Sequence, residues 1–245
     1  MDWGFGPLLQ NRIAQAGLAS VAFNCSGSGI GEDLSTFSEE EAFAKDTYSR
    51  QLEDTARVRE AILAGTFSKV DTRKGGLLGH SRGGGMGFVH AARANAKVPG
   101  DVAALVTWAA IEDADRFGDE LKNEMRSKGH ILIPNARTGQ PHRIDRTALE
   151  DLEANRQALD ILAACKQLSI PALVVHGTAD FAVKVAAADK IHDALASSDK
   201  RKLIIEGAGH TFGAAHPFQE SNAVLDQVID TSVSFLAEQL LGSGN

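Results

Sequence analysis

The sequence predicts an α/β fold, a mostly parallel sheet with helices on both faces. Three observations carry this. Short runs rich in Val, Ile and Leu alternate with longer amphipathic stretches, the pattern of strands joined by crossover helices. The short runs are apolar at successive positions, as strands covered on both faces are. A chain of 245 residues, 43% of them hydrophobic, also suffices for one domain, 1–245, with a sizeable core.

Five strands are expected, at residues 19–24, 76–80, 102–109, 172–176 and 202–206. The helices between them carry end signals. Pro7 and Gly17 bracket Leu8, Leu9, Ile13 and Ala16, proline at a helix start and glycine after its end. Thr147 with Glu150 reads as a capping box, opening a helix through Leu152, Ala158, Ile161 and Leu162 before Pro171 begins the next strand. A last helix near 223–241 places Leu225, Val228, Ile229, Leu236 and Leu240 on one stripe, interrupted by the small Ser232. A crossover needs only a dozen or so residues, so part of the segment 112–146 is surplus. It reads as a small lid or as a solvated face bearing Asp113, Asp115, Arg116, Lys122 and Arg126.

Lys plus Arg number 25 against 32 Asp plus Glu, a net charge of −7, which disfavours nucleic acid and anionic membranes as partners and leaves a small molecule. Cys25 and Cys165 have neither disulfide-framework nor zinc spacing and read as reduced packing residues. No apolar run approaches the roughly 18 residues of a membrane helix, and Met1-Asp2-Trp3-Gly4-Phe5 lacks a signal-peptide pattern. A cytoplasmic protein is expected.

The chemistry centres on Gly76-Leu77-Leu78-Gly79-His80-Ser81-Arg82-Gly83-Gly84-Gly85, where an apolar strand runs into a glycine-flanked serine and then a helical pattern. This is the form of a nucleophile elbow. Its strained turn needs small residues two before and two after the serine, a requirement that Gly79 and Gly83 meet. The helix start would aim the Arg82 backbone N–H at a developing oxyanion.

A serine hydroxyl needs a positioned base. His210, in Gly207-Ala208-Gly209-His210-Thr211-Phe212 just beyond the last strand, is the best placed, with His216 next. His80 and His176 at strand ends read as packed, hydrogen-bonded rings, His90 and His192 as helical, and His130 and His142 as facing substrate or, in preference, water. There is no H-E-x-x-H or other metal pair. The base needs an orienting carboxylate. Asp180, a short turn after the fourth strand, is the choice, with Asp113 after the third as alternative. The chain order Ser, Asp, His, each just past a strand, is a joint coincidence that incidental residues explain poorly.

Gly27-Ser28-Gly29-Ile30-Gly31 follows the first strand but lacks the third glycine of a dinucleotide fingerprint, and no G-x-x-x-x-G-K-S/T segment occurs. A flexible active-site loop is expected there. Trp3, Phe181 and Phe212 are candidate acyl-pocket residues.

The segments Gly79-His80-Ser81-Arg82-Gly83-Gly84, His176-Gly177-Thr178-Ala179-Asp180 and Gly209-His210-Thr211-Phe212 resemble the α/β-hydrolase superfamily, most of all its dienelactone-hydrolase-like and serine-esterase or serine-peptidase-like branches. The resemblance implies the α/β-hydrolase fold, a Ser81, Asp180 and His210 triad, a covalent acyl-enzyme, a small acyl substrate and no cofactor. It departs at the front. Such proteins have further strands before the helix at Pro7, and a His-Gly loop there supplies a second oxyanion donor. The sheet is therefore expected to be shortened at its N-terminal side, either because the true start of the chain lies upstream, the preferred expectation, or because this is a shortened variant with a defective sheet. The leading expectation is a carboxylic-ester hydrolase. An aminopeptidase or thioesterase with the same triad, and a non-catalytic binding protein of the same fold, are the alternatives.

Overall fold

The computed structural model describes residues 4–33, 36–67, 69–134 and 141–242. In chain order the elements are α1 (Gly6–Gln15), α2 (Glu40–Ala44), α3 (Tyr48–Leu63), β1 (Gly76–His80), α4 (Arg82–Lys97), β2 (Ala104–Trp108), α5 (Asp119–Lys128), β3 (His130–Pro134), β4 (Pro141–Asp145), α6 (Arg146–Ala154), α7 (Ile161–Cys165), β5 (Ala172–Gly177), α8 (Ala186–Ala194), β6 (Lys200–Ile205) and α9 (Ala223–Leu241). Four parallel strands form the main sheet in the order β1-β2-β5-β6.

Strand alternation divides the interior into two cores. On β2, Leu105 points to one side, and Ala104, Val106 and Trp108 point to the other. On β5, Val174 joins Leu105, while Leu173 and Val175 join Trp108. The Leu105 side is closed by Phe88 and Val89 of α4, Ile161 of α7 and Ile191 of α8. The Trp108 side is closed by Leu9 and Ile13 of α1 and by Leu225, Val228 and Ile229 of α9. Helices on both faces explain why every residue of the two central strands is buried and all but Thr107 and His176 are apolar or glycine. The edge strand β6 instead carries Lys200, Arg201 and Lys202, charges that discourage edge-to-edge pairing.

Four of the five expected strands are present, with ends shifted by at most two residues. Residues 19–24 form no strand, and Val21 and Phe23 are 40% and 36% exposed. A strand exists only through its ladder. Among the described residues β1 pairs with β2 alone, and nothing offers 19–24 a row of backbone partners.

The helix expected from Thr147 through Leu162 is two helices. The first starts one residue earlier, with Asp145 at the cap position and no side-chain cap bond, so Thr147 and Glu150 do not form a capping box. It ends at Ala154, with Asn155 as its C-cap, and the second is started by the Asp160 carboxylate, which accepts from the Ala163 N–H at 2.8 Å. Within 112–146, β3 and β4 pair in antiparallel register, and a small cluster of Met125, Ile131 and Leu149 packs them with α5 and α6. His142, expected to face water, sits against the rings of Phe37 and Phe43. Residues 135–140, within the expected lid, lie outside the described residues.

Ser232 is fully buried. It accepts the Trp108 indole N–H at 2.8 Å and donates to the Val228 carbonyl at 2.7 Å. The residue that interrupts the apolar stripe of α9 therefore joins that helix to the centre of the sheet. No helix among the described residues is long and apolar enough to cross a membrane.

Candidate active site

The C-terminal ends of β1, β5 and β6 each carry one of the three residues singled out in the sequence. Ser81 follows β1 directly, with φ +55° and ψ −119°, a strained conformation for a non-glycine residue. It is held there by its own N–H, which donates to the Trp108 carbonyl at 2.8 Å, and by its carbonyl, which accepts from Gly84 and Gly85 at 3.1 Å each. Its hydroxyl makes no capping bond to α4 and is left for other chemistry.

The tightness of this turn falls on Gly79 and Gly84. A Cβ on Gly79 would lie 2.4 Å from the Gly83 carbonyl oxygen, and one on Gly84 would lie 2.8 Å from the Ala110 Cβ. A Cβ on Gly83 would meet nothing within 4 Å, contrary to the symmetric requirement expected. The clash is one-sided because it is the Gly83 backbone, not its substituent, that Gly79 faces.

Asp180 and His210 are brought together by the loops that follow β5 and β6. The Ala179 N–H donates to the Ala208 carbonyl at 3.0 Å, and the Gly207 N–H donates to the Thr178 hydroxyl at 2.9 Å. Gly177 lies so close that a Cβ there would be 2.1 Å from the Ala208 carbonyl oxygen. His210 Nδ1 is 2.7 Å from Asp180 Oδ2, and His210 Nε2 is 3.0 Å from Ser81 Oγ. The carboxylate fixes the tautomer: Nδ1–H donates to Asp180, and Nε2 accepts from the serine hydroxyl.

The Asp180 side chain is fully buried. Its Oδ1 accepts from the Ala182 and Val183 N–H groups at 2.8 and 2.9 Å. Burial alone would raise its pKa, but the Val183 N–H, the bond and charge of His210 and the Ala182 N–H outweigh it and hold the carboxyl below its usual range. The site thus keeps an anion next to the imidazole.

Two further histidines surround these three. His80 Nε2–H donates to the His210 carbonyl at 2.9 Å, with the two rings 4.7 Å apart. Burial pushes the His80 ring down to about 4, so it is neutral near pH 7. His176 Nε2–H donates to the Val183 carbonyl at 3.0 Å and lies 3.3 Å from Asp180 Oδ2. Both are packed and hydrogen-bonded, as their strand-end positions predict.

Arg82 opens α4, so its N–H has no acceptor one turn back in the helix and, with the helix dipole, suits an oxyanion beside Ser81. Its side chain pairs with Asp46 at 3.1 Å and lies over the Tyr48 ring. Asp46, nearly fully buried, also accepts from Gln51 and presses against Gly27. Nothing in the sequence around Asp46 marks it as an anchor of the elbow. The Gly27–Gly31 loop is packed rather than open: Cβ atoms on Gly27, Gly29 and Gly31 would come within 2.3 Å of Asp46, Phe37 and Ser38.

The alternatives are elsewhere. Asp113 accepts from the Asp115 N–H, and His216 Nδ1 accepts from the Gly4 N–H. Phe212 is buried in the core with its ring centroid 6.0 Å from that of Trp108, and Phe181 is 87% exposed, so neither lines an enclosed pocket. Trp3 lies outside the described residues. Cys25 and Cys165 are free thiols, both pushed up chiefly by burial, to about 11 and about 12.

A family model described as "Serine aminopeptidase, S33" matches residues 145–213, the stretch that holds Asp180 and His210. No curated protein matches the sequence. Among solved structures, a monoacylglycerol lipase from Paleococcus ferrophilus is similar with a TM-score of 0.69 at 16% identity, over 96% of this chain and 89% of that one. A structure of the metagenome-derived lipolytic enzymes LipS and LipT gives 0.69 at 16%, over 95% and 87%. The mouse alpha/beta hydrolase domain-containing protein 10 gives 0.59 at 21%, over 80% and 71%. The chain has the α/β-hydrolase fold.

Proposed function

We propose that this α/β-hydrolase-fold chain is a serine hydrolase that cleaves carboxylic esters through a Ser81, His210 and Asp180 triad. The observation that carries the reading is the continuous hydrogen-bonded chain from Ser81 Oγ to His210 at 3.0 Å and from His210 to Asp180 at 2.7 Å. Ser81 Oγ attacks the acyl carbonyl while His210 Nε2 takes the hydroxyl proton. Asp180 stabilises the imidazolium, and the Arg82 N–H donates to the oxyanion. Collapse of the tetrahedral intermediate breaks the C–O bond, and the alcohol leaves with the proton from His210. Water, deprotonated by His210, then attacks the acyl-enzyme, and Ser81 regains its proton as the acid departs.

A second reading, an aminopeptidase with the same triad, is favoured by the family match over residues 145–213. Fold and triad do not choose the leaving group. The two are separated by comparing 4-nitrophenyl acetate and butyrate with aminoacyl 4-nitroanilides, in wild type and Ser81→Ala. The ester reading expects turnover of the esters that Ser81→Ala lowers by about a thousandfold or more. Hydrolysis of anilides in preference to esters would replace it with the peptidase reading. Ester turnover that survives Ser81→Ala would sink both.

A further inference from the structure

We infer that His176 is a positioning residue for Asp180, closing the turn that presents the carboxylate to His210. The inference rests on the triad reading above and assigns a function to a ring the proposed reaction leaves unused. His176 is wholly buried on β5, four residues before Asp180. Its Nε2 faces two acceptors, the Val183 carbonyl at 3.0 Å and Asp180 Oδ2 at 3.3 Å, so Nε2 must carry the hydrogen. Its Nδ1 is buried and has no hydrogen-bond partner among the described residues. A proton there would be an unsatisfied buried donor, and the ring is therefore fixed as the Nε2–H tautomer.

One N–H thereby acts on both ends of the same turn. Val183, whose carbonyl His176 holds, gives its own N–H to Asp180 Oδ1. The positive edge of the imidazole also faces Oδ2, the oxygen that accepts from His210 Nδ1. Asp180 is gripped at Oδ1 by the Ala182 and Val183 amides and at Oδ2 by two histidines, so rotating the carboxylate loses contacts at both oxygens.

Two consequences follow from removing the Nε2–H. The 180–183 turn loses the bond to its last carbonyl, and alignment of His210 on Ser81 loosens. Oδ2 loses the positive edge that faces it, so the carboxylate is held on that side by His210 alone. Two other titratable groups border this cluster among the described residues: His80 from β1, with its ring on His210, and Asp189 from α8, which feels the His176 ring electrostatically and is bonded to Lys202 of β6.

The test compares His176→Gln, whose amide nitrogen reaches the position of Nε2, with His176→Leu, which fills the space without a donor. Two signals are read: kcat/KM on 4-nitrophenyl butyrate, and the downfield proton resonance of His210 Nδ1–H by NMR. The Leu variant is expected to lose about tenfold or more in kcat/KM and to shift or broaden the resonance. The Gln variant is expected to keep both near wild type. A folded Leu variant with unchanged kcat/KM and resonance would overturn the inference, as would a Gln variant as impaired as Leu, which would make the role one of packing. If the Leu variant does not fold, His176→Asn replaces it, since its shorter amide cannot reach Val183. The resonance needs no turnover, so an inactive wild type would defeat the ester reading and still leave the role of His176 decided by NMR.

Discussion

His80 Nε2–H donates to the backbone carbonyl of His210 at 2.9 Å, so the strand that leads into Ser81 also holds the loop that carries His210. The bond requires a protonated Nε2 and imposes nothing on Nδ1.

This relation has a pH signature. Burial holds the folded His80 at about 4, while an unfolded histidine titrates near about 6.5. Between these values the unfolded chain binds more protons, so stability is lost as pH falls from about 6.5 towards about 4, by up to about 3 kcal/mol. His80→Gln keeps a donor and removes the titration. Urea midpoints at pH 7 and pH 4.5 should fall less in the variant than in wild type. An identical fall in both proteins would assign the pH dependence to other groups.

The one-sided crowding at the elbow separates two glycines that look equivalent in the sequence. Gly79→Ala drives a Cβ to 2.4 Å from a backbone oxygen and is expected to cost more than about 2 kcal/mol or to prevent folding. Gly83→Ala meets nothing and, inside a helix, is expected to be neutral or to add up to about 1 kcal/mol. Thermal melts decide it, and equal destabilisation by both would contradict the packing described.

Ser232→Ala removes the acceptor of a fully buried indole N–H and should cost about 1–3 kcal/mol. Chemical denaturation measures this directly. A neutral effect would mean that Trp108 has another acceptor.

The meeting of Ser81, Asp180 and His210 was readable in the sequence because each sits just past a strand of the parallel sheet, where loops converge at one edge. Ser81 and His210 are 129 positions apart, yet strand-end placement alone brought them together. Residues 19–24 misled because composition reports burial preference and not the presence of a ladder partner. Phe212 misled for a local reason. Its φ of +55° turns the chain two residues after His210, and the two rings face opposite ways, the imidazole to Ser81 and the phenyl ring to Trp108. Asp46 was unreadable because its partner Arg82 is 36 positions away and neither lies in a motif that names the other. The hairpin of β3 and β4 hid in a charged stretch whose alternation is short and bounded by Pro134 and Pro141.

The central claim is that Ser81 is a nucleophile activated by His210. A fluorophosphonate probe followed by peptide mass spectrometry tests it most directly. The account predicts stoichiometric labelling on the peptide containing Ser81, abolished by Ser81→Ala and slowed by about a hundredfold or more in His210→Ala. Labelling elsewhere, or at Ser81 with a rate indifferent to His210, would contradict it.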